Sequence, residues 1–128
     1  MVAWIAFRYV WVSYFNRGSD YMAKGKYDQA ILCFNKAIKL NSKCAPAYCN
    51  RGTCYYEKGD YDKAILDFTK GLELNPKILG AYFNRAAAYY QKQEYDKAWE
   101  DVHKAQLMDY EIPSDFLTAL REASGREE

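Results

Sequence analysis

Apolar and aromatic side chains recur at spacings of three and four through six stretches of the chain: 11–24, 27–40, 45–58, 61–74, 79–92 and 95–108. That period belongs to helices with one buried stripe. Very small residues punctuate the stripes: Gly18, Gly52 and Ala86, then Ala30, Ala64 and Ala98, then Ala37, Gly71 and Ala105. Bulky ones stand between them: Tyr21, Tyr55 and Tyr89, Phe34, Phe68 and Val102, Leu40, Leu74 and Met108. Alternation of tiny and large positions lets the ridges of one helix enter the grooves of the next, so nearly all of these are assigned to the core.

Turn residues fix the boundaries. Gly25 and Gly59 fall between paired helices, where a left-handed residue closes the first of them. Gln93 holds that place in the third pair, and its turn is expected to be strained or differently closed. Asp28, Asp62 and Asp96 sit in the first turn of the second helices, where a carboxylate suits free amides and the helix dipole. Pro76 ends the second pair sharply, while Ser42 and Tyr110 make softer boundaries. Near the end, Pro113-Ser114 opens a last helix, Asp115 to about Ala123, with Ser114 as its cap, Gly125 as its stop and a frayed tail. Its apolar face is Phe116, Leu117 and Leu120.

The pattern repeats with a constant period. Ser13-Tyr14-Phe15-Asn16-Arg17-Gly18 returns as Ala47-Tyr48-Cys49-Asn50-Arg51-Gly52 and as Ala81-Tyr82-Phe83-Asn84-Arg85-Ala86, each 34 residues after the last. A fixed period in the mid-thirties marks a helical repeat array, in which no unit buries its apolar face alone. The chain divides into an apolar N-terminal extension (1–10), three repeats over 11–112 (11–44, 45–78 and 79–112) and a capping helix with its tail over 113–128. A solvating end helix implies an array that stops there by design. The extension is expected to prolong the first helix or to be the stub of an earlier repeat.

Composition narrows the function. A formal net charge of +1 across 128 residues gives no basic face for phosphate neutralisation, so nucleic acid is not expected as a partner. Residues 1–10 are too few to span a bilayer and lack the charge and small-residue pattern of a signal peptide. Cys33, Cys44, Cys49 and Cys54 show no Cys-x-x-Cys spacing, and the single His103 lies elsewhere. Free thiols in a reducing, cytoplasmic setting are expected, without metal or cofactor. No nucleophile–base pair, phosphate loop or carboxylate constellation appears, so no catalytic residue is assigned and the chain is read as non-enzymatic.

Tyr48, Gly52, Tyr55, Gly59, Tyr61, Ala64, Phe68, Gly71 and Pro76 resemble the tetratricopeptide repeat signature, as do their counterparts one period either way. The resemblance covers about residues 11 to 112. It implies an all-α, right-handed solenoid of three helix-turn-helix repeats plus a C-terminal capping helix, with first helices lining a concave groove that binds peptides or protein partners. On that geometry the groove is lined by Val12, Phe15, Asn16, Ser19 and Met22, by Pro46, Cys49, Asn50, Thr53, Tyr56 and Glu57, and by Gly80, Phe83, Asn84, Ala87, Tyr90 and Gln91. Only Glu57 is charged, so an extended, largely uncharged peptide is favoured.

Asparagine is a mediocre helix-interior residue, because its amide competes for backbone bonds. Finding Asn16, Asn50 and Asn84 on the implied inner face points to a ladder of amides that donate to and accept from a peptide backbone. The competing expectation is that these amides tie neighbouring helices together. Phe15, Phe83, Tyr56 and Tyr90 supply apolar contact, with Thr53 and Ser19 beside them. The clamp by which some members of the family grip an acidic C-terminal tail would fall on Phe15, Ser19, Asn50, Gly80 and Asn84. Asn50 alone matches and every cation is missing. Arg17, Arg51 and Arg85 follow the asparagines and are expected to pair with acids on the adjacent helix. The resulting expectation is a binding scaffold holding a peptide or partner segment in its groove. The alternative is a self-assembling structural protein, a homo-oligomer in contact through residues 1–12.

Overall fold

The computed structural model describes residues 8–127. Among them are seven α-helices: α1 (Val10–Ala23), α2 (Tyr27–Leu40), α3 (Ala45–Glu57), α4 (Tyr61–Leu74), α5 (Ala81–Gln91), α6 (Tyr95–Leu107) and α7 (Ser114–Ser124). The fold is an all-α solenoid of three helix pairs and a capping helix, as the period implies. The most extensive packing joins α1 to α2, α3 to α4 and α5 to α6, while α2 meets α3 and α4 meets α5 across the boundaries. The first helices also touch in succession, α1 with α3 and α3 with α5, and no comparable contact joins α2 to α4 or α4 to α6. The array therefore curves with α1, α3 and α5 on its inner side. Most of the extension 1–10 lies outside the described residues; helix α1 already includes Val10.

Each pair closes in the same way. Gly25 and Gly59 take left-handed φ of 73° and 81°, and Gln93 adopts φ 62°. The amides of Lys26, Asp60 and Glu94 reach back to the carbonyls of Tyr21, Tyr55 and Tyr89 in all three turns. Gln93 thus accepts the strained conformation and keeps the closure, because the hydrogen bonds dictate the backbone there. The ends of the second helices differ. Asn41 and Asn75 are extended, with side-chain oxygens accepting from the amides of Lys43 and Lys77. Asp109 instead turns left-handed at φ 60°.

Three boundary and core expectations need correction. The first helix of the third repeat begins at Ala81, because Gly80 is left-handed at φ 81° and the chain before it is not helical. The N-cap of α7 is Pro113, and Ser114 is already helical and makes no side-chain cap bond. Leu40 is largely exposed, and Leu74 and Met108 are half-buried. These three lie at or just past the end of the second helices, where the neighbouring pair no longer reaches.

The core is three clusters in series. Phe34 with Ala30, Ala47 and Cys54 fills the first, Phe68 with Ala64, Leu72 and Ala81 the second. Trp99 with Ala86, Val102, Ile112 and Leu120 fills the third. Full burial of a side chain such as Phe34 stabilises the fold by about 2–3 kcal/mol. The capping helix closes the series: Leu120 is buried, and the Trp99 indole N–H donates to Ser124 Oγ at 3.0 Å.

Candidate functional site

The concave side is built by α1, α3 and α5, each of which carries one asparagine of the repeat, Asn16, Asn50 and Asn84. Asn16 is exposed and Asn50 and Asn84 are half-buried. Among the described residues, none of the three carboxamides forms a hydrogen bond within the chain. The work of tying helices falls to other residues. Arg51 makes a bidentate pair with Asp67, Nε to Oδ2 and Nη2 to Oδ1 both at 2.8 Å, and its Nη1 donates to Asn35 Oδ1 on the preceding α2. Arg85 repeats this with Asp101 at 2.7 Å twice and with Thr69 Oγ1 at 3.1 Å. The hydrogen bonds to these carboxylates are the main reason both guanidinium groups are held above their ordinary pKa.

Arg17 is the exception. One helix-pair step forward, where Asp67 and Asp101 stand in the other repeats, the first repeat has Cys33. Arg17 is exposed, with Tyr14 beneath its guanidinium at 5.9 Å. The pairing expected of the three arginines holds for two.

The nine residues expected to contact a ligand, Asn16, Asn50, Asn84, Phe15, Phe83, Tyr56, Tyr90, Thr53 and Ser19, are not gathered into one cavity. Thr53, Tyr56, Phe83 and Asn84 share a depression with Glu57, Phe68, Ala87 and Phe116. Asn16 belongs to a broad open surface at the N-terminal edge, with Tyr9, Val12, Ser13, Arg17 and Asp20. Asn50 lies on α3 between them. Ser19 and Thr53 donate to the carbonyls of Phe15 and Cys49 on their own helices, at 3.0 and 3.1 Å. Their hydroxyl protons are thereby committed, and their oxygens remain as acceptors. Phe15 packs on the buried Phe34 with ring centres 5.9 Å apart.

Cys49, placed on the groove wall from sequence, is buried and faces Gly71 instead. Burial, with smaller contributions from Asp67 and Cys44, pushes its thiol up to about 11, and burial does the same for Cys54. All four cysteines are free.

Sequence reasoning missed Phe116. It belongs to the capping helix, yet its ring meets Phe83 edge-on at 5.1 Å and Tyr90 at 5.6 Å. Phe83 is held on its other side by Tyr110 at 5.8 Å. Two of the aromatics assigned to ligand contact are therefore partly covered, and the covering ring itself becomes part of the wall. The available signal was Phe116 on the apolar face of a helix that must pack against the third repeat. What could not be read was that this face reaches round to the concave side.

A second ladder runs along the edge where successive repeats meet. Lys58 pairs with Asp28, Lys92 with Asp62 at 2.5 Å and Arg126 with Asp96 at 2.9 Å. Positions 58, 92 and 126 keep the period of 34, so the capping segment continues the register of the array. These acids are exposed and each pair is worth little. Among the described residues no cluster of His, Cys, Asp or Glu suits a metal ion, and no helix is long and apolar enough to cross a membrane.

Comparison with known proteins gives a consistent answer. Family profiles described as tetratricopeptide repeat match residues 45–78 and 66–100, and one described as TPR repeat matches residues 18–59. Among curated proteins none matches closely enough to count as a relative. The Arabidopsis OM64 TPR domain superposes with a TM-score of 0.84 at 22% identity, over 94% of this chain and 99% of that one. The first TPR of Spaghetti (RPAP3), solved bound to the HSP90 peptide SRMEEVD, gives 0.81 at 24% identity over 90% of each chain. MamA is 30% identical over 77% of this chain and 58% of its own, with a TM-score of 0.74. By period, turn closure and helix packing, and by the profiles that match 18–100, the chain belongs to the tetratricopeptide repeat family.

Proposed function

We propose that the concave face of α1, α3 and α5 binds an extended peptide or partner segment, and that the protein is a non-enzymatic scaffold in a cytoplasmic setting. The observation that carries this is the state of Asn50 and Asn84. They are polar groups on the inner side of adjacent first helices, half-buried and without any partner among the described residues, whereas the neighbouring arginines are fully engaged. A carboxamide that holds no helix together is available to donate to and accept from a peptide backbone. Asn16 extends the row to the N-terminal edge. Ser19, Thr53 and the aromatic residues Phe15, Tyr56, Phe83 and Tyr90 line its course.

Structures of the same fold support a peptide or protein ligand: the Spaghetti domain holds an HSP90 peptide, and the TPR2B domain of yeast Sti1 is in complex with pHsp70. The acidic character of the SRMEEVD ligand does not transfer. Phe15, Ser19, Asn50, Gly80 and Asn84 offer no cation for a carboxylate.

The test is a random-peptide display selection on this protein and on its Asn16→Ala/Asn50→Ala/Asn84→Ala variant. A consensus enriched by the parent and lost by the folded variant supports groove binding. Enrichment by neither removes it.

A further inference from the structure

We infer that the groove contains a side-chain subsite between the second and third repeats, selecting a peptide that places a medium-sized aliphatic residue next to a Lys or Arg. This rests on the reading of the concave face as a peptide site and says what that peptide is. The subsite is the cavity of about 230 Å³ between α3, α5 and the capping helix. Its floor is Phe68, which is 1% exposed, and its walls are Tyr56, Phe83, Ala87 and Phe116. An apolar cavity of about 150 Å³ is enough to hold a benzene ring, so a Leu, Ile or Met side chain fits here.

Three features make this a built cavity. Phe116 is fixed by edge-on contacts to both Phe83 and Tyr90. Tyr56 is held by Tyr61 at 5.3 Å, edge to face. At the position where α1 and α3 carry Ser19 and Thr53, α5 carries Ala87, and the missing hydroxyl leaves both space and an apolar surface.

Charge then decides what stands beside the aliphatic residue. Glu57 is the one charged side chain lining the cavity, it is exposed, and it forms no ion pair among the described residues. Lys58, next to Glu57 in the chain, pairs with Asp28, and Lys92 pairs with Asp62. A ligand cation here gains the hydrogen bonds that Glu57 lacks, and a ligand carboxylate meets repulsion with no compensating donor. Asn84 also lines the cavity, so its amide is placed to hold the peptide backbone while the side chain enters.

The experiment uses phage-displayed random dodecapeptides selected on the full chain and on three variants: Ala87→Trp, which fills the cavity, Glu57→Lys, which reverses its charge, and Asn50→Ala/Asn84→Ala. The parent is expected to enrich Leu, Ile or Met beside Lys or Arg by at least about fivefold over the starting library. Ala87→Trp should abolish the aliphatic preference, and Glu57→Lys should replace the basic preference with Asp or Glu. Glu57 is exposed, so that variant folds even if Ala87→Trp does not. If selected peptides require Asn50 and Asn84 but keep the same composition on the other two variants, the subsite is wrong and groove binding stands. If the parent selects nothing, both are wrong.

Discussion

Arg85 clasps Asp101 through two N–H···O bonds of 2.7 Å, and the carboxylate is 2% exposed. Removing one partner of such a buried pair leaves an uncompensated charge and costs about 3–5 kcal/mol. Arg85→Ala is therefore expected to destabilise the protein by about that amount in urea unfolding. Arg51→Ala should cost less, because the Arg51–Asp67 pair is more open, at 20% and 8% side-chain exposure. Equal, negligible losses in both would contradict the assignment of these arginines to the framework.

The first repeat lacks this pair because Cys33 replaces the acid. Cys33→Asp is expected to create it with Arg17, measurable as a coupling of about 1 kcal/mol in a double-mutant cycle with Arg17→Ala. No coupling would mean that α1 and α2 are not spaced as the other pairs are.

Packing offers a second cycle. A Cβ at Gly18 would meet three Phe34 ring carbons at 2.8, 2.9 and 3.0 Å, while the third repeat carries Ala86 with the smaller Val102. Gly18→Ala alone should destabilise by about 1–3 kcal/mol through overpacking. In a Phe34→Val background the same change should be neutral or stabilising, since Ala is the better helix former by about 1 kcal/mol. Additive losses would disprove this pairing.

Most of the fold was legible because the repeat writes each constraint three times. Gly25 and Gly59 predicted a turn that Gln93 then kept, and Arg51 and Arg85 found acids at one fixed separation. What was not legible breaks the repeat or spans it. Cys33 removes a partner at one copy only. Phe116 has no counterpart in the earlier repeats, and its position over Phe83 and Tyr90 depends on how the capping helix crosses the last pair. Cys49 shared the groove periodicity, yet Gly71 opens a space that draws its sulfur inward.

The thiols give a pH prediction. Burial holds Cys49 and Cys54 up near 11, from an ordinary value of 9.0, so the folded chain keeps protons that the unfolded chain releases between about 9 and 11. Stability should fall as pH rises through that window, and iodoacetamide should modify both residues slowly at pH 8 unless urea is added. Rapid modification of the folded protein at pH 8 would contradict their burial.

Binding in the groove puts the ligand on the inner side of α1, α3 and α5. The most direct measurement is an NMR titration of the isotope-labelled protein with a peptide enriched in the selection. Shifts are expected in the side-chain amide signals of Asn50 and Asn84 and in the backbone signals of Thr53, Tyr56 and Ala87. Shifts confined to the outward residues of α2 and α4, such as the exposed Leu32 and Leu66, would place binding on the opposite face and contradict it.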